Sequence, residues 1–239
     1  MLTNNEVKYI QSLSQKKFRE SEKLFVVEGI KMAEEVLNSN FSIHSIYATN
    51  SWAEKHPEIK ASIIDESQLK KISNLSTPNE VLIVAHQKNQ DEKLSYANQI
   101  TLILDGIQDP GNFGTIIRTA DWFGIKQIVA SEDCVELNNP KVIQATMGSV
   151  FRISVHYANL LEELKQITIP VYGALLNGNS IYDVIKISEG VLVIGNESKG
   201  INENILSNIS NPITIPKIGK AESLNAALAT GIILSHLIK

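Results

Sequence analysis

The sequence predicts an α/β fold in two parts, a C-terminal parallel-sheet α/β domain preceded by a small α/β domain. Three observations carry that prediction. Short, continuously apolar runs recur at residues 100–104, 127–130, 171–175, 191–194 and 212–215 and alternate with helical stretches. Strands apolar along their whole length belong to a parallel sheet covered on both faces. A polar run at 86–93 follows the apolar segment 81–85 and precedes the one at 100–104, so it reads as a linker. A chain of 239 residues with 43% hydrophobic content is long for one compact domain and can supply cores for two unequal ones. The expected division is 1–90, a linker at 91–99, and 100–239.

Ahead of the linker, residues 29–37 have the apolar spacing of an amphipathic helix, 43–48 of a strand and 65–72 of a short helix. The segment 81–85 is a buried strand. Beyond the linker, each apolar run is a strand of the parallel sheet.

Composition excludes several classes. A formal charge of −4 argues against a protein that coats nucleic acid non-specifically, though not against a local basic patch. The single cysteine, Cys134, rules out an intramolecular disulfide and a Cys-based zinc cluster and reads as a packed apolar residue, while the five histidines lack metal-ligand spacing. No run of about eighteen apolar residues is present for a membrane span, and MLTNNEVKYI lacks the layout of a secretion signal. The expected location is the cytoplasm.

Four segments carry chemistry. The stretch DGIQDPGNFGTIIRTA at 105–120 leaves a strand, turns through Asp109-Pro110-Gly111 and enters a helix near residues 112–115, with Arg118 about one turn in. Asn112 and Arg118 then stand at the carboxyl edge of the sheet, where open α/β folds bind ligands. A plain strand-to-helix turn with a solvated Arg118 is the alternative. Glycines at 106, 111 and 114 do not form a dinucleotide fingerprint, and no Walker lysine follows. The stretch VLVIGNESKGI at 191–201 delivers the Glu197 carboxylate to the same edge, with Gly195 permitting close backbone approach to a ligand. Alternatively, Glu197 caps the next helix.

In AESLNAALA, at 221–229, Ser223 is placed to cap a helix whose first turn carries Leu224 and Asn225. That start suits a bound cofactor or is an ordinary cap. In KVIQATMGSVFRI, at 141–153, the small residues, the Ser149 hydroxyl and Arg152 suit a phosphate or nucleotide face. Alternatively, Met147 and Phe151 pack a helix end against the sheet.

Taken in order, DPGNFGTIIRTA at 109–120, MGSVFRI at 147–153, IGNESKGI at 194–201 and IPKIGKAESLNAALA at 215–229 resemble the SpoU (TrmH-like) family of RNA 2′-O-ribose methyltransferases, within the SPOUT superfamily. The resemblance covers residues from about 100 to the end. Lys17-Phe18-Arg19, followed by Phe25-Val26-Val27-Glu28-Gly29, is similar to the start of the family's ribosomal-protein-like N-terminal substrate-binding domain. The resemblance implies a deep trefoil knot, S-adenosylmethionine as methyl donor, an RNA ribose 2′-hydroxyl as acceptor, and a homodimer through the knotted domain. It places the cofactor along Gly195, Ile215 and Leu224, and the reacting centre at Asn112, Arg118, Glu197, Ser223 and Asn225. Lys17, Arg19, Ser149 and Arg152 are the expected RNA contacts. One departure stands out: many members have Met after the Ile-Pro pair, and this chain has Lys217. The apolar run at 232–234 and 237–238 is what the sequence offers a dimer contact.

Methyl transfer from a sulfonium is an in-line displacement in which orientation and activation of the acceptor dominate, and it needs no metal. Arginine is a poor base, since a pKa above about 12 leaves almost none of it neutral. Arg118 is therefore read as an electrostatic and positioning group for phosphate and developing alkoxide, with proton abstraction left open. The two-domain layout leans, by analogy, toward ribosomal over transfer RNA. Two other functions stay open: a non-catalytic RNA-binding or ribosome-assembly factor on the same scaffold, and methylation of a base nitrogen.

Overall fold

The computed structural model describes residues 2–88 and 93–238; of the expected linker and its border, residues 90–92 lie outside that range. The chain divides into two compact units, Met1–Asn89 with Glu136–Phe151, and Gln90–Val135 with Arg152–Lys239. Among the described residues no helix is long and apolar enough to cross a membrane.

The first unit opens with α1 (Asn4–Ser12), α2 (Lys16–Glu22), β1 (Leu24–Glu28), α3 (Ile30–Leu37), β2 (Ile43–Ala48), α4 (Asn50–Lys55), β3 (Ser62–Ile63), α5 (Glu66–Ile72) and β4 (Val81–His86). Its sheet has the order β1-β4-β2-β3, with β4 antiparallel to both neighbours and β3 parallel to β2. Capping boxes, Thr3 with Glu6 and Asp65 with Gln68, satisfy the free N–H groups that start α1 and α5. Alternation along β1 and β4 sends Phe25, Val27, Ile83 and Ala85 into a cluster with Met32 and Trp52. Leu24, Val26, Leu82 and Val84 enter a second cluster with Ile10 and Leu69.

The remaining elements are β5 (Ile100–Asp105), α6 (Pro110–Trp122), β6 (Gln127–Ser131), α7 (Pro140–Thr146), β7 (Ser154–Ala158), α8 (Leu160–Gln166), β8 (Val171–Ser180), β9 (Gly190–Gly195), α9 (Glu203–Leu206), β10 (Asn211–Thr214) and α10 (Ala226–Leu237). The second unit is the parallel sheet expected from the apolar runs, in the order β10-β8-β9-β5-β6-β7 with each pairing parallel. From β5 the chain steps outward to β6 and β7, then returns to the other side through β8 and β9. The order therefore reverses between β5 and β9, and the loops after those two strands face each other across a topological switch point, where open parallel sheets take ligands.

Residues 136–151, which contain α7, belong to the first unit. Ile143, Val150 and Phe151 join the Phe25 cluster, and Phe41 lies edge-on between Phe25 and Phe151 at 6.0 and 5.2 Å. Gly148 follows the left-handed Met147 with φ +96°, and a Cβ there would strike the Glu35 side chain. Gly148 of that motif is thus a backbone requirement.

Candidate active site

Two loops meet where the strand order reverses, one after β5 and one after β9. They are fastened in both directions: Asn202 N–H donates to Asp105 Oδ2 at 2.6 Å, and Asn196 Nδ2 donates to the Gly106 carbonyl at 2.7 Å. Asn196 Oδ1 also accepts from the Ser198 and Lys199 N–H groups, which fixes the turn carrying Glu197. Gly195 is needed inside this turn, because a Cβ would collide with the Gly200 backbone. The absence of a side chain thus serves the residue's own loop, and Gly195 also lines the cavity described below.

On the other side, Asp109 caps α6 and Pro110 opens it, Asp109 Oδ1 accepting from Asn112 N–H at 2.7 Å. Asn112 is thereby fixed in the first turn. Its Nδ2 donates to Glu197 Oε1 at 2.6 Å, and its Oδ1 accepts from Asn225 Nδ2 at 2.8 Å. Glu197, Asn112 and Asn225, from three separated motifs, form one hydrogen-bonded chain. Glu197 accepts within this chain; α9 is capped by Asn202, so the capping alternative for Glu197 does not hold.

The start of α10 differs from expectation. The helix begins at Ala226 and its cap is Asn225, whose Oδ1 accepts from Ala227 and Leu228 N–H at 3.0 and 3.1 Å. Ser223 and Leu224 precede the helix, and the cap is made by Asn225 rather than Ser223. They line instead a cavity of about 970 Å³, together with Gly195, Glu197 and Ile215. Arg118 also departs from expectation: α6 starts at Pro110, so Arg118 stands about two turns in. It is exposed, outside the cavity lining, and makes no hydrogen bond or ion pair among the described residues.

The expected RNA contacts separate. Lys17 is exposed on α2. Arg19 is 2% exposed, forks onto Glu136 at 2.9 and 2.7 Å and donates to the Leu13 carbonyl, so it is a buried structural cation with no surface to offer RNA. Ser149 is likewise buried in the 3-10 turn Ser149–Phe151, where neighbouring Phe151 packs into the core. Arg152 remains partly exposed and pairs with Asp121 at 2.8 Å. Cys134 is packed, as expected, between Ile107 N–H and the Leu104 carbonyl, and burial pushes its thiol up, away from nucleophilic reactivity.

Sequence reasoning missed Asp105 and Asn196, the two residues that fasten the loops. Burial pushes the Asp105 carboxyl above its ordinary range; the Asn202 N–H pulls it down, and nearby Asp133 raises it further. A carboxylate closing a buried strand was the available signal.

The cavity fits S-adenosylmethionine. Its volume lies near the top of the range of about 300–1,000 Å³ typical of small-molecule sites. Ile194, Ile213, Ile215 and Leu224 supply apolar wall, and Glu197 and Glu222 with Lys199 and Lys217 supply charges of both signs, as a ligand with a carboxylate beside cationic groups requires.

Comparison with known proteins agrees with this geometry. The chain is 33% identical to the 23S rRNA (guanosine(2553)-2′-O)-methyltransferase RlmP of Bacillus subtilis, over 98% of this chain and 96% of the relative. It resembles the structure of a putative RNA methyltransferase of the TrmH family from Porphyromonas gingivalis, with TM-score 0.88, 34% identity and coverage of 100% and 98% of the two chains. The AdoMet-bound rRNA methyltransferase from Sinorhizobium meliloti gives TM-score 0.86 at 30% identity, covering 99% and 95%. Residues 4–83 match the model of an MRM3-like substrate binding domain. With residues 99–235 matching the model of the SpoU rRNA Methylase family, the chain belongs to that family.

Proposed function

We propose that this chain transfers the methyl group of S-adenosylmethionine to a ribose 2′-hydroxyl of ribosomal RNA. The observation that supports this reading is the chain Glu197–Asn112–Asn225, which draws one residue from each of three motifs beside a cavity of cofactor size. The cofactor, when bound, supplies an electrophilic methyl group on a sulfonium. Gly195, Ile215 and Leu224 bind it along the cavity wall, and Ser223 stands at its edge. Asn112 holds Glu197 and Asn225 in fixed orientation, so little rearrangement is left for the reacting complex. Arg118, a permanent cation on the exposed face of α6, gathers the RNA phosphate and stabilises the charge that develops on the 2′-oxygen as its proton passes to solvent water.

In this reading, residues 1–90 bind the RNA substrate, with Lys17 as a contact, and the knotted methyltransferase domain lies within 100–239, of which 136–151 pack with the first unit. In this reading it works in the cytoplasm. The enzyme is a homodimer through the knotted domain. Of the C-terminal run offered for that contact, Ile233, Leu234 and Leu237 are buried within their own chain. The exposed apolar surface of the packed pair α6 and α10 is Trp122, 85% exposed, and Leu228, 55% exposed. Those two side chains are the dimer contact in this reading.

The test is transfer of labelled methyl from S-adenosylmethionine to ribosomal and transfer RNA, followed by nucleoside analysis. 2′-O-methyl product from ribosomal RNA is expected. A base-methylated product would move the reading to a base methyltransferase. Absence of cofactor binding would leave only the assembly factor.

A further inference from the structure

Residues 194–201 form a continuous stretch of the cavity wall, from the end of β9 through the turn that carries Glu197. The turn closes on itself: Asn196 N–H donates to the Gly200 carbonyl at 3.0 Å, and Gly200 N–H donates to the Asn196 carbonyl at 2.8 Å. Both ends of it are tied to one dipeptide, Asp105-Gly106, where β5 ends. The Asn196 carboxamide reaches the Gly106 carbonyl, and the Asn202 N–H reaches Asp105 Oδ2.

That dipeptide is held in turn by the loop after β6. Gly106 N–H donates to Ser131 Oγ at 2.8 Å, the Ser131 hydroxyl donates to Asp133, and Ile107 N–H donates to Cys134 Sγ at 3.2 Å. Gly106 takes φ +66°, a conformation that residues with a Cβ rarely adopt. Asp105 itself is 8% exposed and does not line the cavity. A carboxylate is costly to bury unless it is bonded, and its bond to a backbone N–H is stronger than one between neutral groups. A residue outside the cavity therefore fixes one end of its wall.

Resting on the methyltransferase reading, we propose that Asp105 is a positioning residue for S-adenosylmethionine, whose carboxylate holds the 196–202 turn in the shape that binds the cofactor. It touches neither the methyl group nor the acceptor and acts through the turn. Without its bond to Asn202, the wall spends part of its time in other shapes, and apparent affinity falls with the fraction of molecules still competent to bind.

The test uses the full-length protein with Asp105→Ala, Asp105→Asn, Asn202→Pro and Asn202→Ala. S-adenosylmethionine affinity is measured by calorimetry, and hydrogen exchange at residues 196–202 without cofactor. Asp105→Ala leaves the Asn202 N–H without its acceptor and should weaken the cofactor by about tenfold or more. Asp105→Asn keeps an oxygen for that N–H and should recover affinity to within about threefold of wild type. Asn202→Pro removes the same bond from its other end, at a φ of −59° that proline accepts. It should weaken the cofactor as Asp105→Ala does, and the two together should be no worse than either alone. Asn202→Ala loses the α9 cap but keeps the N–H, so it should bind more tightly than Asn202→Pro. Exchange at 196–202 should speed up in Asp105→Ala and Asn202→Pro and stay slow in Asp105→Asn. An Asp105→Ala protein that loses stability but keeps wild-type affinity and exchange overturns the proposal, as does an Asp105→Asn protein that binds no better than Asp105→Ala. Where Asp105→Ala does not fold, the Asn202 pair decides. A wild-type protein that binds no S-adenosylmethionine would refute the methyltransferase reading instead, and exchange at 196–202 would then judge whether Asp105 holds the turn.

Discussion

Asn225 donates to the carboxamide oxygen of Asn112 at 2.8 Å across 113 residues of sequence, while its own oxygen caps α10. One side chain therefore fixes both the start of a helix and the orientation of Asn112, which in turn holds Glu197. Asn112→Ala and Asn225→Ala should each slow methyl transfer by about tenfold or more. A double-mutant cycle should give a coupling energy within about 0.5–3 kcal/mol, the range for residues in one network. Asn225→Ala alone should also lose about 1 kcal/mol of stability with the cap, read by chemical denaturation.

Arg118 is free of partners within the described chain, so replacing it should disturb chemistry more than structure. Arg118→Ala is expected to keep cofactor affinity and thermal stability and to cut the single-turnover rate roughly a hundredfold, as when a transition-state donor is lost. Arg118→Lys should restore part of that, because a point charge lacks the planar fork of a guanidinium. Wild-type turnover in Arg118→Ala would remove the residue from the reacting centre.

Arg19 should behave in the opposite way. Its guanidinium is buried against Glu136, and Arg19→Ala leaves that carboxylate partly buried without its cation. The expected loss is about 3–5 kcal/mol of stability, measured by urea denaturation. RNA affinity, measured on the fraction that stays folded, should not change. A specific loss of RNA binding with stability intact would restore Arg19 as an RNA contact.

Asp105 gives a pH test. Its carboxyl is raised in the folded state, so the native protein holds that proton more tightly than the unfolded chain does. The resulting penalty is fully present above the raised folded pKa, shrinks as pH falls through it, and is gone below the unfolded value of 3.8. Asp105→Asn keeps an acceptor for Asn202 N–H and removes the charge. It should be more stable than wild type at pH 7, with the difference closing toward pH 4. Denaturation curves for both proteins at the two pH values decide it.

Trp122 and Leu228 carry the assembly prediction. Trp122→Ser with Leu228→Glu should convert the dimer into a monomer of about 26 kDa in sedimentation at micromolar concentration, where a standard interface holds. A wild-type monomer under the same conditions would end the prediction.

The sheet was legible because burial on both faces writes strands as unbroken apolar runs: residues 100–104 and 191–194 fall inside β5 and β9. β7, with the sequence SVHYA, and the polar end of β8, with Asn177, Asn179 and Ser180, were not, since edge and exit residues need no apolar run. In the site, residue identities were readable from the motifs, but their partners were not. Asn225 and Ser223 are both good caps by type, and only the helix start at Ala226 shows which one serves. Arg19 next to Lys17 reads as a basic surface pair, yet a partner 117 residues away buries it. Contacts at that separation leave no local pattern.

The path of residues 136–151 bears on how the chain is made. The first unit includes Arg19 and the Phe25 cluster, and both are completed only by Glu136, Ile143, Val150 and Phe151. During synthesis from the amino end, a nascent chain of 90 residues holds every strand of the first sheet and still lacks one wall of its core. That unit must wait for Phe151 to clear the ribosomal exit before it can close, by which time β5 and β6 of the other unit have already emerged. A fragment cut at the linker should be aggregation-prone, and a shortened chain that joins Glu136–Phe151 through a linker to residues 1–88 should be the smallest version of the first unit that folds.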